Sequence, residues 1–296
     1  MRNSLRMSAA LVLALAACSA PKPASVEAPV VPAPAQTPAP AAPPPAVAVN
    51  RAPIALCDRG IVQPGPDGRL FNHFPYPDTV ETALIPAPEE FAPGGSCRIH
   101  PAMLADLQAL LARANQDPAI AGKLRAVSCH RSVRLQRQTF CGGINPDGSS
   151  SFRERAWASA PPGFSEHATG YVVDFGTRDR GGCPDAEACF AATPAGRWLI
   201  ANAAEFGFEQ SFPAGNKQQV KWEPWHWRWV GRTPNAPGAA TARGVFAPAA
   251  ARFPAYPNRP EDKRLLAPRP AAPAAPAPKQ PAAPAPVQAT GPTPQG

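Results

Sequence analysis

Proline decides how much of this chain can pack. Of its 296 residues 43 are proline, and they are densest at the two ends, where residues 19–52 and 267–296 hold 20 of them. Residues 19–52 are mostly Pro, Ala and Val, and those after 267 are mostly Pro and Ala. Such segments bury no core and favour extended, polyproline-like backbone, so both termini are expected to be disordered. At about 3.1 Å per residue, some thirty residues of tether reach on the order of 90 Å. Roughly 200 residues remain between the ends, enough for one compact domain rather than two.

The leader and the cysteines indicate export. Arg2 and Arg6 precede an apolar run from Met7 to Ala17, too short to span a bilayer and patterned like a secretory signal. It ends in Leu15-Ala16-Ala17-Cys18, which resembles the bacterial lipobox, in which the cysteine becomes lipidated. Residues 1–18 are therefore read as a lipoprotein signal peptide and Cys18 as the anchor. Ser19 in the second mature position suits outer-membrane sorting, with the domain facing the periplasm of a bacterial envelope. Cys57, Cys97, Cys129, Cys141, Cys183 and Cys189 remain, an even number in an oxidising compartment. No CxxC pair supports a structural zinc site, so three disulfides are expected, from 15 possible connectivities. Sequence neighbourhood favours Cys183–Cys189 and Cys129–Cys141, which leaves Cys57–Cys97.

The net charge of +8 is moderate, and Arg2, Arg6, Lys263, Arg264, Arg269 and Lys279 place much of it outside the body. No nucleic-acid motif accompanies it, so no nucleic-acid partner is expected. A basic surface suits anionic envelope polymers or lipid headgroups.

Within the body, residues 53–96 read as an irregular lead-in, stapled by Cys57 and Cys97 and carrying His73 as a surface histidine. Pro101 opens a helix with Leu104, Leu107, Leu110 and Leu111 on its core face, stopped by Asp117-Pro118. Leu124–Ser128 reads as a strand, and Ser132 as the cap of a helix from Val133 to Phe140. Residues 142–160 are Gly/Ser-rich and read as a loop at the mouth of a site. Thr193-Pro194 starts a third helix that Gly207 ends. From Trp222 to Val230 the pattern is a strand with Trp225, Trp227 and Trp229 on one face and His226 and Arg228 on the other. Order is expected to fade after Arg232, making 233–296 a C-terminal tail. The fold class is α+β: a small antiparallel sheet flanked by helices.

The chemistry concentrates in Ser165-Glu166-His167-Ala168-Thr169-Gly170-Tyr171-Val172-Val173-Asp174 and Glu223-Pro224-Trp225-His226-Trp227. Two imidazoles and a carboxylate can hold one zinc ion and leave a fourth position open, the pattern of catalytic sites. His167 and Asp174 are seven residues apart and would lie on opposite faces of a flat strand. The chain must therefore bend between them, and Gly170 is able to bend it. Glu223, three residues before His226, is placed to act as general base without being a ligand.

These two motifs, in this order, resemble those of the zinc D-alanyl-D-alanine carboxypeptidases of the VanY type, within the LAS metallopeptidases that trim bacterial peptidoglycan. The likeness covers Cys97 to Arg232, and the zinc peptidase domain is assigned to 97–232. It implies His167, Asp174 and His226 as zinc ligands and Glu223 as base. A third element, Ser128-Cys129-His130-Arg131-Ser132 with Gln136 following, implies Arg131 as the clamp on the substrate's terminal carboxylate or carbonyl oxygen, with Ser165 and Gln136 as further substrate contacts. The sequence departs from the family at Cys129 and His130, where a small glycine and an aromatic are usual. Cys129 hints at a disulfide that rigidifies the clamp, and His130 is read as filling the aromatic's place.

The implied activity is zinc-dependent hydrolysis of the D-Ala-D-Ala bond of peptidoglycan stem peptides. The same ligand set also serves D,D-dipeptidases, L,D-carboxypeptidases and stem-peptide endopeptidases. A wall-binding lipoprotein without activity is the alternative of another class, and the intact Glu223 speaks against it.

Overall fold

The computed structural model describes residues 52–145 and 151–257. The expected signal peptide with Cys18, the expected tether at 19–52 and the Pro/Ala run after 267 lie outside the described residues. The described chain is α+β. It runs β1 (Ile54–Leu56), β2 (Gly60–Val62), β3 (Ile85–Pro86), β4 (Arg98–Ile99), α1 (Leu104–Ala114), β5 (Leu124–Ser128) and α2 (Val133–Gly142). There follow α3 (Phe152–Ala158), β6 (Val172–Thr177), α4 (Pro194–Asn202), β7 (Phe208–Gln210), β8 (His226–Trp229) and α5 (Ala239–Arg252).

The central sheet is antiparallel throughout, in the order β5-β6-β8-β7, and β1-β2 and β3-β4 form separate two-stranded ribbons. Every residue of β6 and of β8 is buried, so helices or loops cover both faces of the sheet's middle. The main core joins Leu107, Leu110 and Leu111 of α1 to Phe175, Phe208, Trp227 and Trp229 of the sheet and Trp198 and Leu199 of α4. The buried indoles are satisfied as well as packed. Trp227 Nε1–H donates to the Pro224 carbonyl (2.9 Å) and Trp229 Nε1–H to Asp106 Oδ2 (2.8 Å).

The caps explain several element boundaries. Ser132 Oγ accepts from the Leu135 amide at the head of α2, and Thr193 Oγ1 from the Gly196 amide at the head of α4. Strand β8 is shorter than its aromatic pattern predicts, because Pro224 and the turn closed by His226 N–H on the Glu223 carbonyl (3.1 Å) precede it.

Three further expectations are corrected. Residues 142–160 are not all loop: α3 is opened by a capping box in which Ser151 and Glu154 satisfy each other's amides. Order does not fade after Arg232. Helix α5 buries Phe246 among alanines, and Arg243 Nε donates to the Val230 carbonyl (2.8 Å). Alanines around a single large side chain give too weak an apolar period to read. Lastly, the disulfides are Cys57–Cys141, Cys97–Cys129 and Cys183–Cys189, so two of the three expected pairings are wrong. Cys129 leaves β5 beside β4, where Cys97 lies, as His130 N–H bonding to the Arg98 carbonyl (3.0 Å) shows. Cys141 ends α2 over a satellite core formed by Leu56, Cys57, Phe140, Ile144 and Ala156. The lead-in is thus stapled to α2 rather than to itself.

Candidate active site

Asp174 and His226 face each other as register partners across β6 and β8. His167 arrives from outside the sheet. It sits in a 3₁₀ turn, Glu166–Thr169, that ends at Gly170 in the left-handed conformation (φ 73°). This is the bend that the seven-residue spacing requires. A side chain at Gly170 would also come within 2.7 Å of Leu84 Cδ2.

The two imidazoles are fixed from behind. His167 Nδ1–H donates to the Cys129 carbonyl (2.7 Å), which turns Nε2 to within 3.0 Å of Asp174 Oδ2. His226 Nε2–H donates to Glu166 Oε2 (3.0 Å), which turns Nδ1 to 3.0 Å from Asp174 Oδ1. All three residues are buried, and their candidate ligand atoms lie within 4.8 Å of one another. Two nitrogens and one carboxylate oxygen, each imidazole braced through its other nitrogen, is a donor set that fits zinc and leaves a coordination position free.

The electrostatics follow from burial around this triad. Burial opposes charge on His226, but the carboxylates of Asp174 and Glu166 outweigh it and hold the ring up at about 10. Burial likewise pushes against ionised Asp174, yet the two histidines keep it far below the usual carboxylate range. Glu223 behaves differently. Burial, with the charge of Asp174 adding to it, raises its carboxyl to about 7 against the pull of His226, Lys221 and Arg131. Its Oε2 lies 3.7 Å from His226 Nδ1, at the face where the triad converges. A carboxyl poised near neutrality beside that face suits proton transfer in both directions.

Arg131 enters the same cleft from the segment after β5. The register of β5 on β6 shifts between Ala126 and Ser128, a bulge that re-aims the chain leaving the strand. Gly176 makes room for it, since a Cβ there would sit 2.6 Å from Val127 Cγ2. Arg131 Nε donates to Gln136 Oε1 (2.5 Å) and Nη1 to Ser128 Oγ (2.9 Å), so the guanidinium is held in one orientation. Gln136, expected among the substrate contacts, stands fully buried behind Arg131 and donates onward to the Ala160 carbonyl (2.6 Å). Ser165 is buried in the cleft wall. His130 points elsewhere, its Nε2 lying 3.6 Å from Asp78.

The cleft around these groups has a volume of about 200 Å³, and its wall carries Trp157, Ser159 and Lys221. Part of that wall is α3, tied down by the Lys221 amide on the Trp157 carbonyl (2.8 Å) and by His73 Nε2–H on the Ala156 carbonyl (2.7 Å). His73 is therefore not the surface histidine expected. It is buried, and burial lowers its ring to about 4. The residue that sequence reasoning passed over is Glu166. Its place between Ser165 and His167 was visible, but nothing in the sequence told that its side chain turns inward.

One family model matches residues 96–232, a little under half of the chain. A Bacillus subtilis (strain 168) protein named "Putative carboxypeptidase YodJ" is 35% identical over 113 residues, which are 37% of this chain and 39% of that protein. The chain thus spans about two fifths of that curated relative's length. Among solved structures, the LdcB LD-carboxypeptidase is 27% identical, with a TM-score of 0.47 over 58% of this chain and 77% of that one. VanYB in complex with D-alanine-D-alanine is 24% identical, with a TM-score of 0.43 over 57% of this chain and 87% of that one. DacB from Streptococcus pneumoniae D39 is 27% identical, with a TM-score of 0.35 over 53% and 77%. Over residues 96–232 the chain matches the VanY family model, which is described as D-alanyl-D-alanine carboxypeptidase.

Proposed function

We propose that this protein is a zinc-dependent carboxypeptidase of peptidoglycan stem peptides, releasing the terminal D-alanine of a D-Ala-D-Ala end. One observation carries the reading: the His167, Asp174 and His226 ligand atoms converge in a cleft that also holds Glu223, raised to about 7, and the fixed guanidinium of Arg131. The family's description supports the substrate class.

Zinc held by His167, Asp174 and His226 supplies Lewis acidity, making water a nucleophile near neutral pH and offsetting charge on the carbonyl oxygen under attack. Glu223 accepts the proton that the attacking water gives up as its oxygen bonds to the carbonyl carbon. It returns that proton to the amine as the C–N bond breaks. Arg131 binds the substrate's terminal carboxylate, with Ser128 and Gln136 keeping its fork aimed.

We further propose that the protein works at the periplasmic side of the envelope, anchored by lipid on Cys18. The Leu15-Ala16-Ala17-Cys18 run and the three disulfides of the domain support this. Incorporation of labelled fatty acid that disappears in Cys18→Ala is the expected result.

The activity is tested by mass spectrometry of the products that the zinc-loaded chain forms from pentapeptide and tetrapeptide stems. Loss of one D-alanine from the pentapeptide is expected. Cleavage of the tetrapeptide alone, release of a dipeptide, or an internal cut replaces the D,D specificity with another within the family. Retention of the peptide with no product overturns catalysis and supports wall binding.

A further inference from the structure

Glu166 makes more bonds than an ordinary counter-ion needs. Its Oε2 accepts from His226 Nε2–H (3.0 Å) and from the Ser211 hydroxyl (2.5 Å), and its Oε1 from Arg228 Nη1 (2.8 Å) and the Tyr76 hydroxyl (3.1 Å). Four donors satisfy both oxygens of a carboxylate that is 3% exposed. Arg228 is itself held, its Nε donating to Glu209 Oε1 (2.7 Å). Every group that touches Glu166 is thus anchored in the sheet or the wall around it, and the carboxylate has one place to be.

From the metal centre proposed above, we infer that Glu166 is a positioning residue for His226. The bond to Nε2–H sets which imidazole nitrogen carries the hydrogen and sets the ring plane, so that the Nδ1 lone pair is left for zinc. Phe212 (centroid distance 4.9 Å) and the His167 ring (5.0 Å) confine the imidazole on other sides, but neither is a hydrogen-bond acceptor for Nε2–H. The arrangement is reciprocal along the chain. One 3₁₀ turn carries the ligand His167 and, beside it, the brace of the other histidine. Strand β8 carries the ligand His226 and, two residues on, Arg228, which holds that brace. The two motifs therefore lock together through Glu166–Arg228 before any metal arrives, and a carboxylate behind the ligand also raises its basicity.

The test is zinc affinity of the full chain by chelator competition, together with the visible spectrum of the cobalt(II)-loaded protein. Glu166→Gln is expected to weaken zinc binding about 10- to 100-fold and to shift the cobalt bands, because the ligand field of His226 changes. Ser211→Ala keeps the carboxylate and its Arg228 pair but frees one donor from Oε2. It is expected to weaken binding in the same direction by a smaller factor. A folded Glu166→Gln protein with unaltered affinity and spectrum overturns the inference and leaves Glu166 as the counter-ion of Arg228 alone. Should Glu166→Gln not fold, Ser211→Ala decides: unchanged affinity and spectrum overturn the positioning role, and weakened affinity supports it. A wild-type chain that takes up no zinc overturns the metal centre itself, and the positioning role with it.

Discussion

Asp174 and His226, 52 residues apart in sequence, sit opposite each other in adjacent strands with a carboxylate oxygen 3.0 Å from the imidazole Nδ1. Two antiparallel strands thus fix the separation of two of the three proposed ligands, and the turn carrying His167 closes on them. Zinc that binds the folded chain at about 100 times its Kd should stabilise it by about 2.7 kcal/mol. That increment is expected to disappear in Asp174→Ala, measured as the shift in urea midpoint on adding zinc. A variant that still gains the full increment would show that the metal sits elsewhere.

Arg131 is held by Gln136 and Ser128 before a substrate arrives. A hydrogen bond to a charged group is worth about 1.5–3 kcal/mol, so Arg131→Lys should lower kcat/KM about 10- to 100-fold on a substrate ending in a free carboxylate. On the same peptide with an amidated C-terminus the two proteins should differ little. Equal losses on both substrates would contradict the clamp.

Much of this was legible from local rules, and what was not depended on long-range geometry. Strand β5 and the starts of α1, α2 and α4 followed from an apolar period flanked by Ser132, Thr193 and the prolines at 101 and 194. The bend at Gly170 followed from the odd spacing of His167 and Asp174. Helix α3 was hidden because its capping box, Ser151 and Glu154, lies in a Gly/Ser-rich stretch whose composition says loop. The cysteine pairings failed because nearness in sequence stood in for nearness in space. Cys129 meets Cys97 only because the chain leaving β5 passes beside β4. His73 was misread because its burial depends on α3, and Glu166 because a carboxylate between two site residues gives no sign of which way it faces.

The disulfides differ in what they constrain. Cys57–Cys141 spans 84 residues and Cys183–Cys189 only 6. Chain entropy then assigns about 4 to 5 kcal/mol to the first and about 2 kcal/mol to the second. Urea unfolding of Cys57→Ala/Cys141→Ala is expected to show the larger loss, and the reverse order would contradict it.

His73 links stability to pH. Its folded value of about 4 lies below the ordinary 6.5, because burial disfavours the charged ring. Between those values the unfolded chain binds a proton that the folded chain does not. Stability is therefore fully present above pH 6.5 and falls as pH drops towards 4, by about 3 kcal/mol in all. Metal-free His73→Gln should lose less stability than the wild type between pH 7 and pH 4.5. Identical losses would contradict this assignment.

The central claim is that Glu223 moves the proton and does not hold the metal. The most direct measurement is turnover of a pentapeptide stem by wild type and Glu223→Gln at matched zinc content. Glu223→Gln should keep zinc affinity within a few-fold and lose about 10²- to 10⁴-fold in kcat, with the substrate still bound. Full turnover by Glu223→Gln, or a loss traced to lost zinc, would contradict the account.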